Sequence, residues 1–208
     1  TDHRPRILYL SYDGVMEPLG QSQVLPYLRG LAAQGATITL LSFEKRADRR
    51  GPRRISLRQE LAAQGIRWVP LAYHKHPTVL ATSYDVLVGA YRAWWIVRQD
   101  AMHVVHARSY VAALMAWMLA RVSGVRFLFD MRGFWVDERA EGGQWSRSSR
   151  LYRLAKWLER AFLQQADEVV VLTERAHETI KAWSGPAAPR VTVIPTCVEL
   201  ERFAAPPA

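Results

Sequence analysis

Several groups of residues have the types and spacing to do chemistry. The run RGFWVDERAEGGQWSRSS, Arg132 to Ser149, sets Phe134 and Trp135 beside Asp137, Glu138, Arg139 and Glu141. Aromatic surface next to carboxylates and a guanidinium is the mixture that a sugar or a phosphorylated ligand needs. At its head, Asp130 is a proton acceptor or hydroxyl ligand by type, and Arg132 a phosphate partner. An internal Asp–Arg pair that shapes the loop fits those two residues equally well. His106, Arg108 and Ser109 in VVHARSY sit where a strand gives way to a helix, a position suited to anion contact. A lone His there is more often structural than catalytic. A long loop from Ser11 to Gly20 follows the first apolar run, and Gly20 reads either as a close approach to ligand or as a helix-entry turn. Lys45 to Arg58 holds seven basic residues, Arg49, Arg50, Arg53 and Arg54 at its centre, against Asp48, a local charge of +6. His74 and His76 lack a third ligand nearby, which argues against zinc. Neither GxGxxG nor a phosphate loop ending in Lys-Ser/Thr occurs.

The elements that must position these residues alternate between strand and helix. Ile7 to Leu10 is an unbroken apolar run, as in a parallel strand covered on both faces. Val24, Leu25, Leu28, Leu31 and Ala32 keep a helical period, Gly35 closes that helix, and Thr37 to Phe43 is β-rich. Further along, helices are expected over Ile55–Gln64, Val79–Gln99, Tyr110–Val122, Leu151–Gln165 and Arg175–Trp183. Strands are expected over Ile66–Leu71, His103–His106, Arg126–Met131, Val169–Leu172 and Val191–Pro195. The pattern predicts an α/β fold with a three-layer open parallel sheet, Rossmann-like, whose ligands bind at the carboxyl ends of the strands. In the long helix, Leu80, Tyr84, Leu87, Val88, Tyr91, Trp94 and Trp95 read as core packing. Were that helix exposed, Tyr91, Arg92 and the Trp pair would suit a membrane interface.

PLGQSQVLPYLRGLAAQG with the following LLSFEK resembles the opening of the amino-terminal domain of GT-B glycosyltransferases, family 4 (group 1). FDMRGFWVDE, VVVLTE and VIP resemble later segments of the same domain, so the likeness runs over most of the chain. It implies that Gly20, with Gln21, approaches the donor diphosphate or the acceptor, although the usual Gly pair is here Leu19-Gly20. It implies an acceptor-side residue at the end of the fifth strand. Many relatives carry a His there; this chain has Asp130-Met131-Arg132-Gly133, which makes Asp130 the catalytic candidate and Arg132 a substrate contact. Gly133, Asp137, Glu138, His106, Arg108 and Ser109 complete the expected substrate-binding set. Thr196-Cys197 stands where the family's IPNGVD-like turn has Asn-Gly. No Glu has another eight positions on, the pair that marks the family's donor-binding half.

The resemblance therefore implies an acceptor-binding domain over residues 1–195 and the start of an interdomain linker over 196–208. The enzyme would be retaining and metal-independent, with a nucleotide-sugar co-substrate, no cofactor, and a separate donor-binding domain or subunit as partner. The acceptor would be a saccharide or a lipid-linked molecule. With 208 residues, 50% hydrophobic and 23% charged, the composition is that of a soluble globular protein with one core. The lone Cys197 fits a reducing compartment, and no signal peptide or spanning stretch appears, so a cytoplasmic protein peripheral to the inner face of the cell membrane is expected. The net charge of +9 predicts attraction to an anionic partner, for which Arg49, Arg50, Arg53 and Arg54 would form the membrane patch. Nucleic acid is disfavoured, because few aromatics interleave the arginines and no nucleic-acid-binding signature occurs. A non-catalytic module of the same fold, binding an anionic lipid or a protein partner, is the alternative reading.

Overall fold

The computed structural model describes residues 4–184 and 189–196. Its strands are β1 (Arg6–Ser11), β2 (Thr37–Glu44), β3 (Ile66–Ala72), β4 (Val104–Arg108), β5 (Arg126–Asp130), β6 (Glu168–Val171) and β7 (Val191–Val193). Its helices are α1 (Leu25–Ala33), α2 (Pro52–Ala63), α3 (Thr78–Gln99), α4 (Ser109–Ser123), α5 (Trp135–Glu141), α6 (Arg150–Gln165) and α7 (Glu174–Ser184). The strands form one sheet in the order β3-β2-β1-β4-β5-β6-β7, parallel throughout. This is the expected Rossmann-like α/β architecture. From β1 the chain winds outward through β2 and β3, then crosses back to β4 on the other side of β1. That reversal opens a crevice at the carboxyl ends of β1 and β4, where such sheets bind ligands.

Apolar side chains fill both sides of the sheet. Leu8, Leu10, Phe43, Val105, Phe127 and Phe129 belong to the core shared with α3, α4 and α6, while Tyr9, Ile38, Leu40, Ile66 and Trp68 meet α1 and α2. Gly124, at φ +67°, ends α4 in the left-handed conformation open to a residue without Cβ, and Thr173 Oγ1 accepts from Ala176 N at the start of α7.

Four expectations need correcting. Arg132 to Ser149 is not simply a loop: α5 forms inside it, with Asp137 and Glu138 favourably placed in its first turn and Val136 fully buried. Helix α2 begins at Pro52 rather than Ile55, because proline suits a first helical position, so Arg53 and Arg54 are helical rather than loop residues. A π-helical turn over Gly20–Val24 precedes α1. Of the apolar stripe of α3, Trp94 packs partly on the core, while Leu80, Tyr84, Leu87, Tyr91 and Trp95 face away from it. The buried side of the helix is instead Ala81, Asp85, Val86, Gly89, Ala93, Ile96 and Val97. Small residues there bring the helix close, and a Cβ on Gly89 would meet Met115 Sδ and, at 2.8 Å, Phe43 Cζ. Cys197 and the rest of the expected linker after Thr196 lie outside the described residues.

Candidate active site

The reversal crevice holds a cavity of about 260 Å³ lined by Tyr9, Gln23, Tyr27, His106, Arg108, Asp130, Arg132 and Thr196, with Ile194 and Pro195 at its margin. Alternation along the strands explains the convergence. His106 and Arg108 are two apart on β4, so they share a face with Tyr9 of β1, their register neighbour, and with Asp130, paired to Arg108 across β4 and β5.

Asp130 lies beside two guanidiniums and an imidazole. Its carboxylate is 3.7 Å from His106 Nε2, 3.8 Å from Arg108 and 3.6 Å from Arg132, all ion-pair distances too long for hydrogen bonds. Burial pushes its pKa up, but His106, Arg132 and Arg108 outweigh that and hold it below the usual carboxylate range. Asp130 Oδ1 and His106 Nε2 are buried without a hydrogen-bond partner among the described residues. Both guanidiniums converge on one amide oxygen: Arg108 donates to Gln23 Oε1 at 2.7 Å and Arg132 at 3.2 Å. Arg132 also donates to Thr196 Oγ1 at 3.0 Å. Tyr9 packs on His106 with ring centroids 4.5 Å apart, and burial, aided by Asp130, drives its hydroxyl far above the usual phenol range. Chemically this is a charge-neutralised carboxylate, ionised at ordinary pH, with a free acceptor oxygen beside two fixed guanidiniums. It can accept a hydroxyl hydrogen bond while the arginines face an anion.

The other expected site residues lie around this cavity rather than in it. Gly20 is buried, and a Cβ there would come within 2.5 Å of Gly14 O and Val15 Cα, so the absent side chain lets the loop fold onto its own backbone. Gln21 Nε2 donates to Val15 O at 2.7 Å in the same loop. Ser109 opens α4 at φ +66°, a left-handed backbone that few non-glycine residues adopt. Gly133 sits against Glu138, whose Oε1 would be 2.6 Å from a Cβ there, and its carbonyl accepts from Tyr110. Asp137 accepts from Tyr152 at 2.8 Å and from Lys156 at 3.0 Å. Burial raises its pKa, those two bonds outweigh it, and the net direction is down. Lys156 also pairs with buried Glu159, which accepts from Tyr110, so Asp137 belongs to a network that pins α5 to α6. Of the four arginines of the expected membrane patch, Arg53 donates to Met16 O and Arg54 to Arg49 O.

Sequence reasoning missed Tyr9, Gln23, Tyr27 and Glu44. Glu44 is fully buried at the end of β2, where its carboxylate accepts from Val15 N at 3.0 Å, Met16 N at 3.4 Å and Ser42 Oγ at 2.6 Å. It holds the loop after β1. A charged residue ending an otherwise apolar strand, LLSFE, was the available signal for it.

Solved structures place this architecture among GT-B glycosyltransferase domains. Sucrose-phosphate synthase from Thermosynechococcus elongatus superposes with a TM-score of 0.64 at 17% identity, over 95% of this chain and 49% of that one. UGT73P12 of Glycyrrhiza uralensis, solved with glycyrrhetinic acid 3-O-monoglucuronide, gives 0.62 at 8% identity, over 92% and 48%. A glycosyltransferase from Rickettsia africae gives 0.55 at 15%, over 97% and 45%. The chain thus spans about half the length of these three. No curated protein matches by sequence. The family model for the glycosyl transferase 4-like domain matches residues 20–197, and the chain belongs to that family.

Proposed function

We propose that this chain is the acceptor-binding domain of a retaining, metal-independent glycosyltransferase. In this reading a second, donor-binding domain or subunit holds a nucleotide-sugar, and the sugar passes to a saccharide or lipid-linked acceptor in the cleft between the two. This domain works at the cytoplasmic face of the cell membrane. The observation that carries the reading is Asp130 Oδ1, buried without a hydrogen-bond partner among the described residues in the reversal crevice, with Arg108 and Arg132 beside it. A carboxylate so placed binds a sugar hydroxyl, and guanidiniums so placed face a phosphate of donor or acceptor. Only half of the cleft is supplied by this fold, so most of the electrostatic stabilisation of a leaving diphosphate must come from the partner half.

The test is a transfer assay with radiolabelled nucleotide-sugars, on the chain alone and after adding the donor-binding half. Transfer is expected only in the combined sample, and Asp130→Asn should lower it at least roughly tenfold there. Robust turnover by the chain alone, or full activity of the combined Asp130→Asn enzyme, would overturn the reading.

A further inference from the structure

Helix α3 has two apolar faces, and only one is covered. Opposite the side packed on α4 and the sheet, Leu80, Tyr84, Leu87, Tyr91 and Trp95 are 71, 57, 62, 60 and 39% exposed. At about 100° per residue these five fall within roughly 80° of arc and extend about 22 Å along the helix. The outward face of a surface helix is ordinarily polar, whereas the only charged residues exposed on this one are Arg92 and Arg98. A contiguous stripe of this kind marks an interaction surface.

Three observations choose the occupant. Large aromatics make up most of the stripe, and Tyr and Trp rings favour the boundary between hydrocarbon and water. Arg98 continues the same azimuth beyond Trp95 and lines a shallow basin of about 610 Å³ with Arg6, His103 and Arg126. Arg98 stacks on Trp94 at 5.3 Å, and neither Arg98 nor Arg126 has a carboxylate partner among the described residues. Finally, a net charge of +9 opposes pairing with a second copy and favours an anionic surface. Among the described residues no helix is long and apolar enough to cross a membrane, so contact is from the side.

We propose that α3 lies flat on an anionic lipid bilayer, its Leu80-to-Trp95 stripe seated in the headgroup layer and Arg98, Arg6 and Arg126 holding a lipid phosphate. This deepens the membrane part of the reading above by giving it a surface, one distinct from the Arg49–Arg54 segment. It needs no transfer chemistry, so its failure and the failure of the acceptor reading are separable.

The experiment is sedimentation of the chain with vesicles of phosphatidylcholine alone and of an equimolar phosphatidylcholine–phosphatidylglycerol mixture. Variants are the triple Leu87→Gln, Tyr91→Gln, Trp95→Gln, the double Arg98→Gln, Arg126→Gln, and a quadruple Gln variant of Arg49, Arg50, Arg53 and Arg54. The native chain should bind the anionic vesicles. The triple should weaken binding at least about tenfold, and the double about 30-fold, with a shallower salt dependence. Melting curves show whether each variant folds. Quenching of native tryptophan fluorescence by brominated lipid, reduced in Trp95→Phe, reads the same contact without disturbing the stripe. Several outcomes overturn the proposal: no binding to anionic vesicles, binding lost in the quadruple but kept in the triple, or a native dimer that the triple dissociates. Saturable binding of inorganic phosphate to the basin without vesicle binding also overturns it, because the basin would then serve a soluble anion.

Discussion

Replacing Asp130 by Asn isolates the charge on which the crevice is built. The carboxylate lies 3.6 Å and 3.8 Å from two guanidiniums, one of them buried with it. At an effective dielectric near 20, each such pair attracts by about 4–5 kcal/mol, and the desolvation of the buried ions offsets several kcal/mol of that sum. The depressed pKa of Asp130 says that attraction wins. Removing the charge leaves Arg108 buried without a counter-ion, a loss of about 3–5 kcal/mol. For a chain of this size that lowers the melting temperature by roughly 6–20 °C. The pH dependence has a definite sign. A carboxyl whose folded pKa is depressed stabilises the protein above its unfolded value, about 3.9, and that stability is lost as pH falls through the folded value. The melting difference between native and Asn chains should therefore be full at neutral pH and shrink below about pH 4. Thermal melts followed by circular dichroism from neutral to acid pH are the assay. Equal melting temperatures at neutral pH, or a gap that does not close on acidification, would refute the reasoning.

Other substitutions separate the site from its supports. Gln23→Leu removes the oxygen shared by Arg108 and Arg132, two bonds to charged donors; steady-state kinetics of the completed enzyme should show the acceptor KM raised roughly tenfold or more. Asp137→Ala should lower stability by about 2 kcal/mol in denaturant titrations while leaving that KM unchanged, because its partners are Tyr152 and Lys156 rather than the cavity. Gly89→Ala gains up to about 1 kcal/mol of helix propensity and loses about 1–3 to overpacking against Met115 and Phe43. With the full propensity gain the expected net is a destabilisation of up to about 2 kcal/mol by the same titration. Glu44→Ala should free the loop after β1, seen as faster cleavage there under limited proteolysis.

Much of the scaffold is readable along the chain because parallel strands buried on both faces are written as apolar runs, and β1, β2 and β4 are such runs. His106, Arg108, Asp130 and Arg132 are readable too, since each lies within two residues of the carboxyl end of β4 or β5 and those ends share one edge. Tyr9, Tyr27 and Gln23 were not readable: a Tyr inside an apolar strand and a Gln before a helix look like ordinary core and cap until β1 and β4 are known to be neighbours. The orientation of α3 was hidden for a different reason. Both of its faces are apolar, and periodicity cannot say which of two such faces a helix buries; the small residues Ala81, Gly89 and Ala93 decide it through close approach. Similarly, α5 escaped notice because its seven residues, about two turns, bury only Val136 fully.

The π-helical turn at Gly20–Val24 sets a phase for the site. A π turn is an α turn with one residue too many, so everything before it is rotated by about 100° relative to an unbroken helix. Gln23 sits within it, which means that its meeting with the two guanidiniums depends on that extra residue as much as on the amide itself. Deleting one residue from Gly20–Val24 would straighten the helix and swing the preceding segment away from α1's frame. Adding or removing residues among Asp13 to Glu17, ahead of the turn, would leave that phase untouched but would pull buried Val15 and Met16 off Glu44. Length is therefore fixed on both sides of Pro18 for different reasons, by helical phase after it and, before it, by the bonds that tie Val15 and Met16 to Glu44.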